Sequence, residues 1–232
     1  MKLAFVTVLA IANFTSNPAP GWTQPGSQLI ADQPSAPDTG TPDGQQTPAG
    51  TRGETCKQTD KPFTALVPEN GKGLTTAEHP IFWFYIPDAP EDIDSIEFSL
   101  HPWAGDEKTT LYKTSLQLTK TPGVIGIPLP PSPHYSLKLN EIYHWRFTVT
   151  CVGIETSGDP IILELDGWVT RVQQSPNQLI WYDELTNRGK RYFLEPQNIE
   201  VKKAWAELLE SVGLKGLAQE PVVSSSSNSQ DN

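Results

Sequence analysis

Large apolar side chains alternate with polar ones along residues 143–151, and this two-residue period constrains the fold more than any other feature. One side of an extended chain here carries Tyr143, Trp145, Phe147, Val149 and Cys151. Successive side chains of a β-strand point to opposite faces of the sheet, so the pattern predicts a strand with one buried side and one side facing water. His144 falls on the polar side and is predicted to be a surface residue.

Similar short runs recur along the middle of the chain, separated by turn sequences rich in proline, glycine and aspartate. Strands are predicted at 63–67, 81–86, 95–100, 112–118, 124–129, 143–151 and 161–172. About seven short strands joined by turns are typical of an immunoglobulin-like antiparallel β-sandwich. Leu137 precedes Tyr143 by six residues, a spacing that resembles the tyrosine corner of such sandwiches.

The run 81–86 is apolar on both faces, so the predicted strand needs cover on both sides. The C-terminal segment can supply this cover, because a helical pair is predicted over 176–213. A short helix follows Ser175 and Pro176, and a longer amphipathic helix begins after Asn198 as N-cap and stops at Gly213. Basic residues of this pair are interpreted as a solvated face: Arg188, Lys190, Arg191, Lys202 and Lys203.

The first twelve residues have the form of a signal-peptide core. Lys2 supplies a positive charge, and residues 3–12 are an apolar run too short to span a bilayer. We expect cleavage between 12 and 31 and a periplasmic or secreted location; the alternative is an apolar tail with no targeting role. No other segment is predicted to span a membrane.

Composition divides the rest of the chain into three parts. Residues 13–53 are rich in proline and glycine and poor in large apolar side chains, so a disordered linker is predicted. Residues 54–222 are predicted to form one β-sandwich domain with its helices, and 223–232 a disordered polar tail. Two cysteines, Cys56 and Cys151, suit one disulfide in an oxidising compartment; two unrelated buried thiols are the alternative.

Charge and motifs exclude several classes of function. The net charge of −10 disfavours nucleic acid, because phosphate neutralisation needs an excess of lysine and arginine. The histidines lack metal-ligand spacing, and no cofactor-binding fingerprint or nucleophile motif occurs. We therefore predict no metal site, no cofactor and no catalytic residue.

A few residues remain as weak candidates for chemistry. Glu164 and Asp166 share one side of a predicted strand, and paired carboxylates can hydrolyse glycosidic bonds. Asp183 lies next to Trp181 and Tyr182, which suits a sugar or peptide site, although helix packing explains this group equally well. Trp103, in a predicted loop, is the tryptophan expected to be exposed and available for contact.

Several runs, in their order along the chain, resemble the bacterial domain-of-unknown-function family 928. They lie at 66–70, 80–87, 143–151, 167–172, 180–183 and 205–214. The resemblance covers about residues 50–222 and implies an envelope or secreted protein from a cyanobacterium, with no established activity. Family members usually carry a longer helical insert where this chain has only residues 173–180. If that insert serves a partner, part of the interface is missing from this chain.

These observations support three hypotheses. The first is a non-enzymatic binding or scaffolding module of the cell envelope, with an unidentified envelope or extracellular protein as partner. The second is a hydrolase of polysaccharide or peptidoglycan that uses Glu164, Asp166 or Asp183 as acids. The third is a purely structural envelope protein.

Overall fold

The computed structural model describes residues 40–48, 55–57, 59–103, 109–118, 120–152, 160–174 and 179–228. Within these ranges the chain forms ten strands and two α-helices. The strands are β1 Thr64–Ala65, β2 Lys72–Thr75, β3 Ile81–Ile86, β4 Ile93–Pro102, β5 Tyr112–Leu118, β6 Gly123–Pro128, β7 Ile142–Cys151, β8 Ile162–Arg171, β9 Val222–Val223 and β10 Ser225–Asn228. The helices are α1 Trp181–Leu194 and α2 Ile199–Glu210.

The strands form two mixed sheets, which is consistent with the predicted β-sandwich. Sheet A has the order β1-β3-β6-β9, and sheet B the order β10-β5-β4-β7-β8-β2. Two strand pairs, β2 with β8 and β6 with β9, are parallel. The fold is therefore mainly β, as predicted, but not wholly antiparallel. Strands β2, β9 and β10 were not predicted, because each has four residues or fewer and none alternates in polarity.

Aromatic side chains fill the space between the two sheets. Phe84 of β3 stacks on Phe147 of β7 with ring centres 4.0 Å apart, and Phe82 lies 4.8 Å from Phe98 of β4. The predicted inward face of β7 is confirmed, since the five residues of that face are at most 2 % exposed. Removal of this apolar area from water is the main favourable contribution to folding.

The helices provide the predicted cover for β3. Thr186 of α1 accepts a hydrogen bond from the indole nitrogen of Trp83, on the outward side of β3, at 3.2 Å. At the start of α1, Tyr182 reaches the core and accepts a 2.8 Å hydrogen bond from Trp145 Nε1. Asn198 caps α2 as predicted, because its side chain accepts hydrogen bonds from the backbone N–H groups of Glu200 and Val201.

Two details of the predicted helical pair differ from the structure. Helix α1, predicted to be the shorter, has 14 residues against 12 in α2. The predicted start near Pro176 lies outside the described residues, and the described helix begins at Trp181. Gly213 has φ of +79°, the left-handed conformation that commonly follows a helix end.

Tyr143 ties the entry of β7 to the turn before it, as the predicted tyrosine corner requires. Its hydroxyl accepts a hydrogen bond from the backbone N–H of Lys138 at 2.8 Å and donates one to Glu141 Oε2 at 3.1 Å. Burial raises the pKa of the Tyr143 hydroxyl. This corner fixes where β7 starts, and so fixes the position of every side chain along it.

Parts of the predicted linker and tail pack on the sandwich. Residues 40–48 form backbone hydrogen bonds with the turn before β2 and with β8, and Ser225–Asn228 pairs with β5. Cys56 and Cys151 are joined in a disulfide across a sequence separation of 95 residues, with their Cα atoms 5.3 Å apart. The predicted signal-peptide core, 1–12, lies outside the described residues.

Candidate functional site

The outward side of sheet B carries a row of large polar and aromatic side chains. Strand register places Lys72 beside Trp168, Trp168 beside His144, and His144 beside His101. Residues directly opposite each other on neighbouring strands point to the same side of a sheet. These four side chains therefore cross sheet B in one line from β2 to β4.

His144 lies within this row and is buried, which corrects its predicted surface position. Its ring stacks on the indole of Trp168 with centres 4.5 Å apart, and Trp103 approaches at 6.2 Å with its ring nearly perpendicular. His144 Nε2 lies 2.8 Å from Asp166 Oδ2. The side chain is only 4 % exposed. Alternation within β7 could not reveal this burial, because the covering rings belong to β8 and to the residue after β4.

Trp103 is part of the same packing rather than a protruding contact residue. Its ring centre is 6.0 Å from that of Trp168, and its backbone N–H donates to Ile142 O at 2.8 Å. Within the described residues the indole N–H of Trp168 has no hydrogen-bond partner, although Trp168 is 4 % exposed. The cluster of His144, Asp166, Trp168 and Trp103 is thus a packed aromatic layer with a carboxylate beside the imidazole.

The segment 40–48 lies against the β2 side of this row. Lys72 Nζ donates to Thr41 O at 2.8 Å and lies 3.1 Å from Asp43 Oδ1, so a nearly buried ammonium is paired. Gly44 approaches so closely that an added Cβ would lie 2.6 Å from Asp166 O. This contact was not predicted, because the proline and glycine content of the segment suggested a chain without partners.

The three acids of the hydrolase hypothesis do not converge. Glu164 is exposed on the outward side of β8, two residues from Asp166, whose carboxylate is engaged by His144. Asp183 instead accepts hydrogen bonds from Thr75 Oγ1 at 2.6 Å and from Thr76 N at 3.0 Å. The Asp183 carboxylate therefore joins the first turn of α1 to the end of β2.

The aromatic residues beside Asp183 are core residues. Trp181 donates from Nε1 to Leu66 O at 3.0 Å and is 2 % exposed. Tyr182 is fully enclosed, and this burial raises the pKa of its hydroxyl. The helix-packing interpretation of this group therefore holds, and its rings offer no open platform to a sugar.

The described residues contain no cluster of three or more His, Cys, Asp or Glu side chains arranged to hold a metal ion. None of the helices in those same ranges is long and apolar enough to cross a bilayer.

An open apolar groove lies on the outward side of sheet A, beside the last turns of α1. We call it the Phe193 groove. It has a volume of about 370 Å³ and is lined by Ile81, Trp83, Gly126, Pro128, Lys190, Phe193, Leu194 and residues 222–225. Phe193 is 48 % exposed and Leu194 is 74 % exposed. Apolar side chains that cluster around a depression in this way indicate a contact surface more strongly than scattered ones do.

Lys190 is the charged residue among the groove-lining side chains, and it is exposed. Tyr85 lies on the same outward face of β3, two residues beyond Trp83. Burial, followed by the nearby negative charge of Glu220, raises the pKa of Tyr85 to about 12. The groove thus has an apolar floor, a neutral tyrosine beyond it and one cationic side chain at its margin.

Sequence reasoning missed this groove, although one signal for it exists. Leu185, Gly189 and Phe193 follow each other at intervals of four and so lie along one ridge of α1. Leu185 is buried and Gly189 lies on Trp83, whereas Phe193 is half-exposed and lines the groove. The opposite wall is formed by β9, whose second residue, Val223, was predicted to begin a disordered tail.

Most of the chain matches the model of one protein family. A family model described as Domain of Unknown Function (DUF928) matches residues 47–179 and 177–222. The chain belongs to the DUF928 family. No curated protein and no solved structure matches this DUF928 protein.

The family match includes most of the features described above. The His144 cluster and the Phe193 groove lie within the matched ranges, except for groove residues 223–225. The two matched stretches meet at residues 177–179, between β8 and α1.

Proposed function

We propose that this DUF928 protein is a non-enzymatic binding module of the cell envelope, periplasmic or secreted, and that it holds a protein partner in the Phe193 groove. The observation that carries the proposal is the groove itself, with Phe193 and Leu194 exposed beside an apolar strand surface.

The size and lining of the groove suit recognition of side chains. Its volume of about 370 Å³ falls in the range of ligand-binding clefts, which combine apolar walls with a few polar groups. Apolar area buried on binding contributes roughly 25 cal/mol per Å² before entropic costs. A partner that covers Phe193 and Leu194 would gain from both, because both are exposed in the free protein.

The placement of the acids favours binding over hydrolysis. Glu164 is exposed, Asp166 is paired with His144, and Asp183 is hydrogen-bonded to Thr75 and Thr76. Thr75 pairs with the last residue of β8, Arg171, which lies roughly 16 Å along that strand from Asp166. A glycosidase needs two carboxylates on either side of one bond, whereas Asp166 and Asp183 are held by separate structural partners and Glu164 is exposed on the outward side of β8.

Export is supported by two features. The Cys56–Cys151 disulfide suits an oxidising compartment. Residues 1–12 have the charge and apolar run of a signal-peptide core. The disulfide would be kept reduced in an ordinary cytosol, so its redox state in cells is a direct test of location. Alkylation of the protein in intact cells should leave both cysteines unmodified; labelling of both would contradict export.

The binding proposal is tested by a matched pair of variants. Leu194→Asp places a charge in the groove, whereas Ile199→Asp places one on a side chain that is equally exposed, at 77 %, but does not line the groove. Full-length protein carrying either change is used to recover partners from the envelope of the native host after crosslinking. We expect one protein to be recovered by the wild type and by Ile199→Asp and lost with Leu194→Asp. A set of recovered proteins unaffected by Leu194→Asp would contradict the proposal.

A further inference from the structure

The cation at the Phe193 groove has no acidic partner in the described part of the chain. Most described lysines form ion pairs: Lys57, Lys61, Lys72, Lys113, Lys138, Lys203 and Lys215. Lys190 forms none there, and neither does the adjacent Arg191. The chain as a whole has a net charge of −10, so acids are plentiful. Lys120 and Lys202 are the other described lysines without an acidic partner, and of these three lysines only Lys190 lines the groove.

Helix polarity explains part of this pattern. Cations are favoured in the last turn of a helix because of its partial negative charge, and Arg191 lies in the last turn of α1, directly after Lys190. Arg188 lies in the same region, yet it pairs with Glu184 and donates to Ala204 O. Helix polarity thus accounts for basic residues here. Helix polarity does not explain why Lys190, the basic residue that lines the groove, has no acidic partner among the described residues.

We infer that the groove takes a protein segment with two or three neighbouring apolar side chains and a carboxylate beside them that reaches Lys190 Nζ. This inference rests on the proposed function and specifies the chemistry of the partner. The apolar side chains would lie between Phe193 and the floor formed by Trp83 and Gly126. The carboxylate would supply the counter-charge that Lys190 lacks among the described residues.

The same charges disfavour two other occupants. A second copy related by a two-fold axis would face its own patch and would bring two pairs of Lys190 and Arg191 together. An anionic membrane would be attracted by Lys190 but repelled by a protein of net charge −10. A segment that combines apolar anchors with an acid would fill the apolar groove and pair with Lys190 at its margin. Peptide-binding sites commonly combine an apolar pocket with a polar rim in this way.

Peptide selection tests the inference with a probe that favours no particular partner. The probe is a phage-displayed library of random 12-residue peptides, selected on the full-length protein and counter-selected on Leu194→Asp. We expect enriched peptides to place aspartate or glutamate next to leucine, isoleucine, phenylalanine or tryptophan. Selection on Lys190→Glu should keep the apolar residues and replace the acids with lysine or arginine. The matched control is Lys203→Glu, a solvent-exposed change on α2 outside the groove, which should keep the preference for acids.

Affinities of one selected peptide, labelled with fluorescein, make the result quantitative. Leu194→Asp should weaken binding about thirtyfold, as expected for loss of a central apolar anchor. Lys190→Glu should weaken it about threefold to tenfold, with a weaker salt dependence. Ile199→Asp and Lys203→Glu should change it less than about twofold. Should Leu194→Asp fail to fold, Leu194→Ser takes its place.

The ways in which these experiments can fail are distinct. Enrichment of no Leu194-dependent peptide would contradict the proposed function itself. Enrichment of apolar peptides with no preference for acids, or a preference unchanged by Lys190→Glu, would overturn the inference and leave the groove as a binding site. A dimer in sedimentation experiments that Leu194→Asp dissociates would assign the groove to a second copy and would also overturn the inference.

Discussion

Gly189 of α1 lies directly on the indole of Trp83, so closely that a Cβ added to the glycine would be 2.8 Å from Trp83 Cη2. Glycine in the middle of a helix costs about 1 kcal/mol relative to alanine, and here it allows α1 to approach β3. The Trp83 indole is held from the side as well, by its hydrogen bond to Thr186 Oγ1. This contact sets the distance between α1 and sheet A, and with it the width of the Phe193 groove.

Gly189→Ala should therefore destabilise the protein despite the better helix propensity of alanine. Overpacking of this kind costs about 1–3 kcal/mol, which exceeds the gain of about 1 kcal/mol from helix propensity. Gly216→Ala is the control, because nothing among the described residues lies within 4 Å of the Cβ that it adds. Urea unfolding should show a lower free energy of unfolding for Gly189→Ala alone. Equal stability of both variants would mean that α1 does not rest on Trp83.

Reduction of the Cys56–Cys151 disulfide should also destabilise the domain. Closure of a loop of this length restricts the unfolded chain, and loss of such a bond typically costs about 2–5 kcal/mol. The free energy of unfolding is measured with and without a reducing agent, and the double variant Cys56→Ser, Cys151→Ser serves as control. We expect the wild type in reductant to match the double variant, which should itself be insensitive to reductant.

Stability should fall at alkaline pH because of Tyr85. Its pKa is raised to about 12 in the folded protein, chiefly by burial, and an unfolded tyrosine titrates near pH 10. Between these values the unfolded chain binds fewer protons than the folded one, so stability decreases as pH rises, by about 1.4 kcal/mol per pH unit from this group. The stability difference between wild type and Tyr85→Phe, constant below about pH 9, should shift in favour of the variant from about pH 10 to 12. A difference that stays constant would contradict the shifted pKa.

The hydrogen bond between Asp166 and His144 should contribute measurably to stability. Asp166→Asn keeps the size of the side chain but removes the charge of the acceptor, and we expect a loss of about 1–2 kcal/mol. Glu164→Gln is the matched control on the same side of β8, and as an exposed position it should change stability by less than about 0.5 kcal/mol. If the two variants unfold alike, the buried imidazole does not depend on this carboxylate.

Local pattern was sufficient for the features that depend on one segment. The alternation in β7, the apolar run of β3 that needs double cover and the cap at Asn198 are all present in the structure. In each case a short stretch of chain contains the whole signal, because periodicity and capping are properties of neighbouring residues.

Features that depend on distant segments could not be read in this way. His144 is buried by Trp168 and Trp103, which reach it only through strand pairing. The parallel pairing of β2 with β8 is likewise decided by the path of the whole chain. The Phe193 groove is lined by the last residues of α1 and by β9, which only the folded chain brings together. Such arrangements are set by topology, and single-strand periodicity contains no information about it.

The position of the disulfide also determines how the domain would respond to tension. Cys56 precedes β1, a strand of only two residues at the margin of sheet A, whereas Cys151 ends β7 in the interior of sheet B. A pull on the chain ahead of Cys56 would first detach residues 40–48 and would then be transmitted through the sulfur bridge to β7. The weak marginal strand would be spared, and the force would meet a ten-residue strand hydrogen-bonded on both sides.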